Sequence, residues 1–465
     1  MLDIILLETH QIELNKLLDT TSGKEESAYI LFGNVDITTD PWTGKARKRL
    51  VSHKVIPVPE NEKISSSGIH VTWSTRTFVK LLKQAEIEGL TLGIVHSHPG
   101  SYAFFSEQDT QNEKDLLKIV MNRSGIGHSF SSLVIGGDGS ICARLWTTPN
   151  QEIHASRIMV SGRSLVFHGI SKTIDDDVFD RQARLFGPDF NPIIKGLNVG
   201  VIGCGGTGSP TAMLLARLGV GKIFLIDDDT IELSNLNRVH GAQRSDADNN
   251  VPKVDVIARE INTADLGTEV ATFKGWVGNH QVRNALKSCD VVFGCTDDHD
   301  GRLFLNRFAY FYGIPVIDMG VRIIPASKNR PYEMAGRVTI ITPGTPCLLC
   351  RGLIDPVKAR EEALKRTNPA EYERRKAEAY ILGGGDPAPV VVTFTTETAC
   401  MAVNELLQGL TSFKGEGGMK AGRRRRFDIT EDRTNTCIPK LECPHCSGSD
   451  FWGKADVIPF LFRVG

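Results

Sequence analysis

The clearest pattern of apolar and polar positions lies near residue 200, where a strand signal runs directly into a helix signal. Val199, Val201 and Ile202 form an apolar, β-branched run that stops at the glycine-rich segment 203–208. An alanine- and leucine-rich segment follows as far as Leu218. The order strand, glycine turn, helix turns backbone N–H groups and a helix N-terminus toward an anionic phosphate. It predicts a nucleotide-binding turn.

Further apolar runs repeat this pattern downstream, at 222–226, 290–295 and 315–318, and helical patterns separate them. Repeated β-then-α units of this length predict a mostly parallel sheet with right-handed crossovers, and a ligand beyond the carboxyl ends of the strands. Asp227 and Asp297 each follow such a strand. One site can therefore collect both carboxylates together with the glycine turn.

The first part of the chain alternates short strand-like and helix-like stretches at 28–32, 78–85 and 90–95, followed by a helix from Ser106 to about Met121. Segment 161–177 then loses its periodicity and gathers three aspartates. We place a domain boundary there, which predicts one domain at 1–165 and a second at 166–465. Within the second domain, before the glycine-turn strand, 179–186 reads as a short amphipathic segment.

Composition narrows the class of protein. The 465 residues carry a formal net charge of -1, so no bulk electrostatic argument favours nucleic acid or a membrane surface. No apolar run approaches the roughly 20 residues that span a bilayer, and the first residues lack a basic signal-peptide region. Ten cysteines, four of them in Cys-x-x-Cys pairs, favour metal ligands over disulfides. We therefore expect a cytoplasmic globular protein without nucleic-acid or membrane partners.

Two histidines end the apolar run at 90–95. His96 and His98 are two residues apart, so their side chains share one face of a strand, and the helix that follows can return Asp109 to them. Two histidines and a carboxylate leave a fourth position open, as in catalytic zinc sites. Taken separately, a solvated histidine pair and a helix capping box at Ser106 and Asp109 are the simpler explanations.

The combined spacing His-x-His-x7-Ser-x-x-Asp resembles the JAMM metalloprotease signature, also called MPN-plus or JAB. That family cleaves peptide or isopeptide bonds after the C-terminal glycine of ubiquitin-like proteins. It uses an upstream glutamate seven residues before a glycine, and Glu26 before Gly33 fits; Glu25 is its neighbour. The resemblance implies zinc ligation by His96, His98 and Asp109, a general base at Glu26, and an oxyanion hydrogen bond from Ser106.

The C-terminal three hundred residues carry four further motifs: Gly-x-Gly-Gly-x-Gly, Asp-x-Asp-x5-Asn-Leu-x-Arg, Pro-Lys and Cys-Thr-Asp. Together they resemble the Rossmann-like ThiF-type adenylation domain of ubiquitin-activating enzymes and of adenylyltransferases in thiamine and molybdopterin biosynthesis. In that family a C-terminal glycine carboxylate attacks the α-phosphate of ATP and releases pyrophosphate. Two anions must meet, so the reaction needs cations and Mg²⁺.

The resemblance assigns a role to each motif residue, although Arg238 or Lys253 taken singly would be explained as a solvated surface charge. Simple members of the family are homodimers, in which Arg181 would reach into the neighbouring subunit's site. The remaining implied roles are phosphate binding by the glycines Gly203, Gly205, Gly206 and Gly208 and by Asn235, Arg238 and Lys253, nucleotide binding by Asp227 (at the ribose hydroxyls) and Asp229, and Mg²⁺ binding by Asp297.

Two Cys-x-x-Cys hooks, at 347–350 and 443–446, join distant segments. Four thiolates close a structural zinc site, and a redox pair would need a thioredoxin-like setting that this sequence lacks. We expect His445 to be a bystander. The predicted ligands, which have counterparts in the family, are Cys347, Cys350, Cys443 and Cys446.

A thioester cysteine is not indicated. Between the hooks, a charged helical stretch at 355–379 leads to the glycine-rich segment 383–387, which matches the family's crossover loop, and then to a predicted strand at 389–394. No cysteine falls between Cys350 and Cys400. Cys400 sits in a helical pattern and is more simply a buried packing residue. The arginine run 423–426 reads as a solvated strand end, or as a site for an acidic partner.

The sequence thus favours a bifunctional enzyme that activates a β-grasp protein with ATP and cleaves after its C-terminal glycine, using one catalytic and one structural zinc ion. Protein conjugation, with a conjugating enzyme as partner, and sulfur transfer, with a sulfur donor, stay open as outcomes. A zinc-containing NAD-dependent oxidoreductase would account for the glycine turn and Asp227, but would not need Asn235, Arg238, Lys253 and Asp297. A scaffold with inactive sites is disfavoured by the intact motifs.

Overall fold

The structure is a computed structural model that describes residues 1–19, 23–66, 71–125, 128–169, 177–324, 326, 332–377 and 389–456. The predicted crossover loop at 383–387 lies outside the described residues, and so does segment 170–176 of the predicted linker. Within the described ranges, no helix is both long and apolar enough to cross a membrane. Two large sheets with flanking helices confirm the predicted α/β class.

The N-terminal unit contains a nine-stranded mixed sheet and a small hairpin. Its described elements are, in chain order, β1 (Leu2–Leu7), α1 (Glu8–Leu18), β2 (Ser27–Ile37), β3 (Arg47–Pro57), β4 (Lys63–Ser66), β5 (Val71–Trp73), α2 (Arg76–Glu88), β6 (Thr91–His98), α3 (Glu107–Ser124), β7 (Phe130–Gly136), β8 (Ile141–Thr148), β9 (Gln151–His154), β10 (Arg157–Ser161) and β11 (Leu165–His168). The sheet order is β11-β10-β1-β3-β2-β6-β7-β8-β9, and β4 pairs with β5.

Alternating side chains of this sheet are buried on both faces. Along β2, Ala28 and Ile30 pack on the face that α1 covers, whereas Tyr29 and Leu31 pack with α2 and α3 on the other. Strands β6 and β7 run parallel, and α3 connects them. Because α3 connects the carboxyl end of β6 to the start of the parallel strand β7, the N-terminus of α3 lies beside the carboxyl end of β6, where the two histidines lie.

The C-terminal unit contains an eight-stranded sheet. Its described elements are α4 (Asp180–Phe186), α5 (Phe190–Lys195), β12 (Asn198–Ile202), α6 (Gly208–Arg217), β13 (Lys222–Asp227), α7 (Arg244–Asp248), α8 (Lys253–Ala264), β14 (Glu269–Lys274), α9 (His280–Leu286), β15 (Val291–Gly294), α10 (His299–Tyr312), β16 (Val316–Ile324), β17 (Glu333–Ile341), α11 (Pro356–Thr367), α12 (Pro369–Ala377), α13 (Val392–Thr411), β18 (Gly422–Arg426) and β19 (Glu431–Thr434). The sheet order is β14-β13-β12-β15-β16-β17-β18-β19.

The first five strands of that order are parallel, and β17, β18 and β19 extend the sheet antiparallel. Side chains of α6, α8 and α13 cover one face, and those of α9 and α10 cover the other. Strands β12, β13 and β15 all end at the same edge. The predicted ligand edge is thus formed by the strands that the sequence indicated.

One predicted strand is wrong. Residues 389–391 have no regular structure, and α13 begins at Val392 and continues for 20 residues. The apolar run at 389–394 therefore leads into the first turn of a helix, and the buried face of that helix, including Ala402 and Leu406, packs on the sheet. A short apolar run does not distinguish a strand from a helix start by periodicity alone.

A buried seam joins the two units. Ile5, Val35 and Val51 of the first sheet share one apolar cluster with Phe304 and Phe308 of α10. Strands β10 and β11 form a hairpin that pairs through His168, so the division predicted at residue 165 falls at the start of β11 and stays a prediction.

The seam also holds a buried ionic network. Arg49 is 1% exposed and donates to the backbone oxygens of Lys287 and Cys289, at 2.7 Å each. Arg49 and Arg157 both pair with Asp290, whose second carboxylate oxygen accepts from the backbone N–H of Asn198 at 2.9 Å. Removing one side of such a network would leave a buried charge without a partner, which costs about 3–5 kcal/mol.

Candidate functional sites

The structure brings the three predicted zinc ligands of the N-terminal unit together. His96 and His98 are 5% and 6% exposed, and their Nε2 atoms lie 3.2 Å apart. Asp109 places Oδ1 3.2 Å from Nε2 of His96 and Oδ2 3.6 Å from Nε2 of His98. One ligand atom from each residue falls within a 4.8 Å group. Two imidazoles and a carboxylate at this separation fit a zinc ion with an open coordination position.

Asp109 is held by the first turn of α3. Ser106 caps the helix by accepting from the Asp109 backbone N–H at 3.1 Å, and the Ser106 N–H and hydroxyl each donate to Oδ2 at 2.7 Å. The capping box is therefore present together with the ligand cluster. Burial acts to raise the pKa of Asp109, but His96 and the hydrogen bonds from Ser106 outweigh it and hold that pKa well below its usual range.

The register of β2 decides which glutamate faces the histidines. Ser27 pairs with His96, and paired residues on adjacent strands share a face. Continuing that register pairs Glu25 with His98, and the Glu25 carboxylate lies 3.8 Å from Nε2 of His98. Glu26 lies opposite Ser97, so its side chain is on the face of the sheet away from the histidines, where it forms an ion pair with Lys63 at 3.0 Å. The structure thus brings Glu25, and not the predicted Glu26, to the candidate site.

The glycine loop and the strand ends of the C-terminal unit surround a cavity of about 780 Å³. Gly203 has a φ of +88°, and a Cβ there would lie 2.9 Å from the backbone of Cys295. A Cβ on Gly208 would lie 1.7 Å from the carbonyl oxygen of Gly203. These two glycines allow the turn itself. Around Gly205, by contrast, the space is open, and Gly206 lies beside the side chain of Arg238.

Asp227 ties this loop to the end of β13. Its carboxylate accepts the backbone N–H of Cys204 at 2.5 Å and that of Asp229 at 2.8 Å. Burial raises the pKa of Asp227, and the nearby Lys253 only partly offsets this. Lys253 in turn pairs with Asp229 at 2.6 Å, and the two carboxylates outweigh the effect of burial and raise the pKa of Lys253. The site therefore keeps a cation next to the loop.

The predicted nucleotide residues divide into two groups. The Asn235 side chain accepts from the backbone N–H of Glu232 within its own turn. Arg181 is exposed on α4. Among the described residues, Asn235, Gly208 and Arg181 are not in the cavity wall, and their roles stay predictions. The predicted residues that line the cavity are Gly203, Gly205, Gly206, Asp227, Asp229, Arg238, Lys253 and Asp297.

Sequence reasoning missed one wall of this cavity. Helix α11 contributes Glu362, Lys365 and Arg366, which the sequence marked only as part of a charge-dense stretch. Arg366 pairs with Asp300 and places its guanidinium 3.4 Å from the ring centroid of Trp276, which is also in the wall. No local motif signals this arrangement, because it depends on how α11 packs against α10.

The four hook cysteines converge as predicted. Sγ of Cys347 lies 3.6 Å from Sγ of Cys443, and Sγ of Cys350 lies 3.5 Å from Sγ of Cys446. All four sulfurs fall within 4.8 Å of one another, which fits a zinc staple. The hydrogen bond from Cys446 lowers the pKa of Cys347 below its ordinary value.

Two further cysteines of the C-terminal unit, Cys295 and Cys400, have raised pKa values. Cys295 lines the cavity, but burial raises its pKa well above the ordinary value. Cys400 lies on α13, as predicted, and burial followed by the charge of Glu397 raises its pKa as well. A thiol with a raised pKa carries little thiolate at neutral pH. Cys400 is half-buried and not fully buried as the sequence suggested, and whether any cysteine forms a thioester stays an expectation from the sequence.

The predicted arginine run lies on strand β18, and its charges are compensated within the chain. Arg423 pairs with Asp432 and Glu405, and the next three arginines pair with Glu333, Glu397 and Asp428 in turn. Each of the four arginines therefore has an acidic partner within the described part of the chain.

Comparisons with known proteins give families for both units. A sequence model of the ThiF family matches residues 179–448, which is more than half of the chain. A model described as prokaryotic homologs of the JAB domain matches residues 17–147. These matches confirm the two resemblances inferred from the motifs.

Relatives of known name match part of the chain. The SAMP-activating enzyme E1 of Haloferax volcanii is 29% identical over 185 residues, 38% of this chain and 63% of the relative. Ubiquitin-like modifier-activating enzyme 5 of Branchiostoma floridae is 28% identical over 219 residues, 44% of this chain and 52% of the relative. The sulfur carrier protein ThiS adenylyltransferase of Escherichia coli is 26% identical over 281 residues, 60% of this chain and 93% of the relative. The match thus spans less than two thirds of the first two relatives.

Proposed function

Because this chain belongs to the ThiF family, we propose that its C-terminal unit uses ATP to adenylate the C-terminal carboxylate of a β-grasp protein, either a ubiquitin-like modifier or a sulfur carrier. The observation that carries this proposal is the shared cavity, in which the glycine loop, Arg238, Lys253 and Asp297 line one space. The relatives support the substrate class, because their names include a modifier-activating enzyme and a sulfur-carrier adenylyltransferase.

The residues of the cavity suit an attack by one anion on another. Gly205 and Gly206 leave room for phosphates against the backbone, and Lys253 and Arg238 provide positive charge beside them. Asp297 is exposed to the cavity and would hold Mg²⁺, which when bound would further neutralise the phosphates. Asp227 holds the loop to β13 and keeps these groups in register. The reaction would join the substrate carboxylate to AMP and release pyrophosphate.

ATP–pyrophosphate exchange in the presence of a purified β-grasp protein tests this function. We expect exchange that depends on that protein and that falls at least 100-fold in Asp297→Ala, because the Mg²⁺ ligand is lost. Asp248→Ala, an exposed aspartate at the end of α7, is the matched control and should exchange normally. Exchange without the β-grasp protein, or exchange unchanged by Asp297→Ala, would refute the proposal.

We further propose that the N-terminal unit is a zinc metallopeptidase that cleaves after the C-terminal glycine of the same class of protein. Convergence of His96, His98 and Asp109 supports this, together with the JAB match. When bound, zinc would supply an activated water and polarise the scissile carbonyl. We assign the general base to Glu25 in place of Glu26, since Glu25 faces the histidines.

Two further parts of this proposal concern assembly and metal content. We propose a homodimer in which Arg181 reaches into the partner subunit's cavity. Leu185 lies on the same helix, α4, and its side chain is 75% exposed, which suits a helix that a second subunit covers. A chain that sediments as a monomer at micromolar concentration would contradict the dimer. We also propose two zinc ions per chain, one at the histidines and one at the cysteines.

A further inference from the structure

We propose that Glu113 and Arg144 are positioning residues for the histidine site, and that they fix helix α3 so that Asp109 meets His96 and His98. The inference rests on the metallopeptidase function proposed above. The two histidines belong to one strand, whereas Asp109 reaches them from α3. The separation of the three ligand atoms therefore depends on how α3 is held against the sheet.

Glu113 anchors α3 one turn beyond Asp109, on the same face of the helix. Its side chain is 1% exposed, and its carboxylate accepts three hydrogen bonds from the sheet. Ser132 Oγ donates at 2.6 Å, Arg144 Nε at 2.7 Å and Trp146 Nε1 at 2.6 Å. Because the donors lie on both β7 and β8, the carboxylate fixes the position of α3 along those strands and its distance from them.

The anchor is directly connected to the strand that carries the histidines. Strand β7 lies next to β6, where Val134 pairs with His96 and Ser132 pairs with Ile94. Ser132 is therefore one strand over and two residues back from His96. A hydrogen bond from Ser132 to Glu113 ties Asp109, four residues earlier on α3, to the same part of the sheet as His96.

Arg144 secures the first turn of α3 independently. Its Nη2 donates to Oγ1 of Thr110 at 3.1 Å, and that hydroxyl donates to the carbonyl oxygen of Ser106 at 3.0 Å. Its guanidinium carbon also lies 3.9 Å from the ring centroid of Phe105, the residue before the cap. Arg144 thus contacts both ends of the turn that presents Asp109.

A buried ion pair is a costly way to stabilise a fold, because apolar side chains of similar volume serve as well or better. Its geometric exactness is useful where a ligand must be held in place. Partners outside the ligand sphere typically change metal affinity by about 10–100-fold when they are mutated. Glu113 and Arg144 act on the ligand Asp109 through α3 and not by direct contact. We therefore expect their substitution to change the zinc affinity by the lower end of this range.

The experiment measures zinc affinity of the full chain by chelator competition, with the four-cysteine site as an internal reference. We expect Glu113→Gln to weaken zinc binding at the histidines about tenfold and to leave the cysteine-bound zinc unchanged. Glu152→Gln is the matched control, since Glu152 is the second carboxylate on Arg144, at 2.8 Å, but lies on β9 and does not belong to α3. Unchanged affinity in Glu113→Gln, or an equal loss at both zinc sites, would overturn the inference.

If Glu113→Gln fails to fold, Thr110 provides a milder pair of variants. Thr110→Val removes the hydroxyl that links Arg144 to Ser106 and should weaken the histidine-site zinc several-fold, whereas Thr110→Ser keeps the hydroxyl and should bind normally. Equal affinities in the two variants would overturn the inference. Failure of the underlying function looks different, because the wild-type chain would then hold no zinc that depends on His96.

Discussion

The two candidate sites differ in how far their residues are arranged before a ligand binds. At the histidine site, two buried histidines and a half-buried aspartate already lie within contact distance, and Ser106 holds the carboxylate at a fixed angle. In the nucleotide cavity, the charged groups line an open space of about 780 Å³, and Lys253 is neutralised by Asp229. The first site uses one strand and one helix, whereas the second is lined by several strand ends, by α11 and by Pro389 and Val390.

This difference follows from what each site would bind. A zinc ion is small and needs ligand atoms at nearly fixed separations, so rigid elements must provide them. A nucleotide and a protein C-terminus are large and must enter and leave, so their site needs room and side chains that can exchange partners. A single substitution should therefore abolish zinc binding at the histidine site. In the cavity, a single substitution should only weaken the binding of the nucleotide.

The largest effect is expected from removing a histidine ligand. His96→Ala should reduce the zinc content from two ions per chain to one and abolish cleavage of a β-grasp protein that carries a C-terminal extension, since two ligands hold zinc poorly. Metal analysis by mass spectrometry and a cleavage assay measure both. Cys347→Ala is the complementary variant and should lose the other ion. A chain that retains both ions in His96→Ala would remove the contrast between the sites.

The next largest effect separates the two adjacent glutamates. Glu25→Gln should lower the cleavage rate by about 10²–10⁴-fold, the usual contribution of a general base, with zinc content unchanged. Glu26→Gln changes the same chemical group on the other face of β2 and should reduce the rate less than about threefold, because it disturbs only the contact with Lys63. If Glu26→Gln is the slower variant, the register of β2 at this end of the strand is not the one described.

A smaller effect is expected in the cavity. Gly205→Ala adds a methyl group where the structure leaves open space, so the fold should persist, but the backbone can no longer approach a phosphate closely. We expect ATP to bind about tenfold more weakly in isothermal titration. Gly448→Ala, at an exposed position that is equally free of neighbours, is the control and should bind ATP normally. An unchanged affinity in Gly205→Ala would argue that phosphates do not contact this part of the loop.

The sequence predicted those features that depend on local order. The strand, turn and helix around Gly203 and the histidine spacing on β6 are set by neighbours in the chain, and the structure confirms both. Global packing was not predictable in the same way. The wall formed by α11 depends on its contact with α10, and the run at 389–394 was assigned to a strand because its length alone does not exclude a helix start.

The identity of the glutamate at the histidine site was only partly predictable from the sequence. A spacing rule pointed to Glu26, because it counts residues and not faces. The strand pairing Ser27–His96 shows that an odd and an even position cannot both face the histidines, and it selects Glu25. The alternation of β2 was readable in the sequence, but the partner strand and its register were not.

The seam around Arg49 has a consequence for how the two sites occur in the cell. Cutting the chain between the units would expose Asp290 and the apolar side chains that pack on α10, and would separate Arg49 from Asp290, one of its two carboxylate partners. Neither half is thus suited to exist alone. Every molecule carries one histidine site for each nucleotide cavity, and a cell that makes more of one also makes more of the other. Because both sites lie on one polypeptide, their ratio is fixed at one to one and is not open to regulation by separate expression.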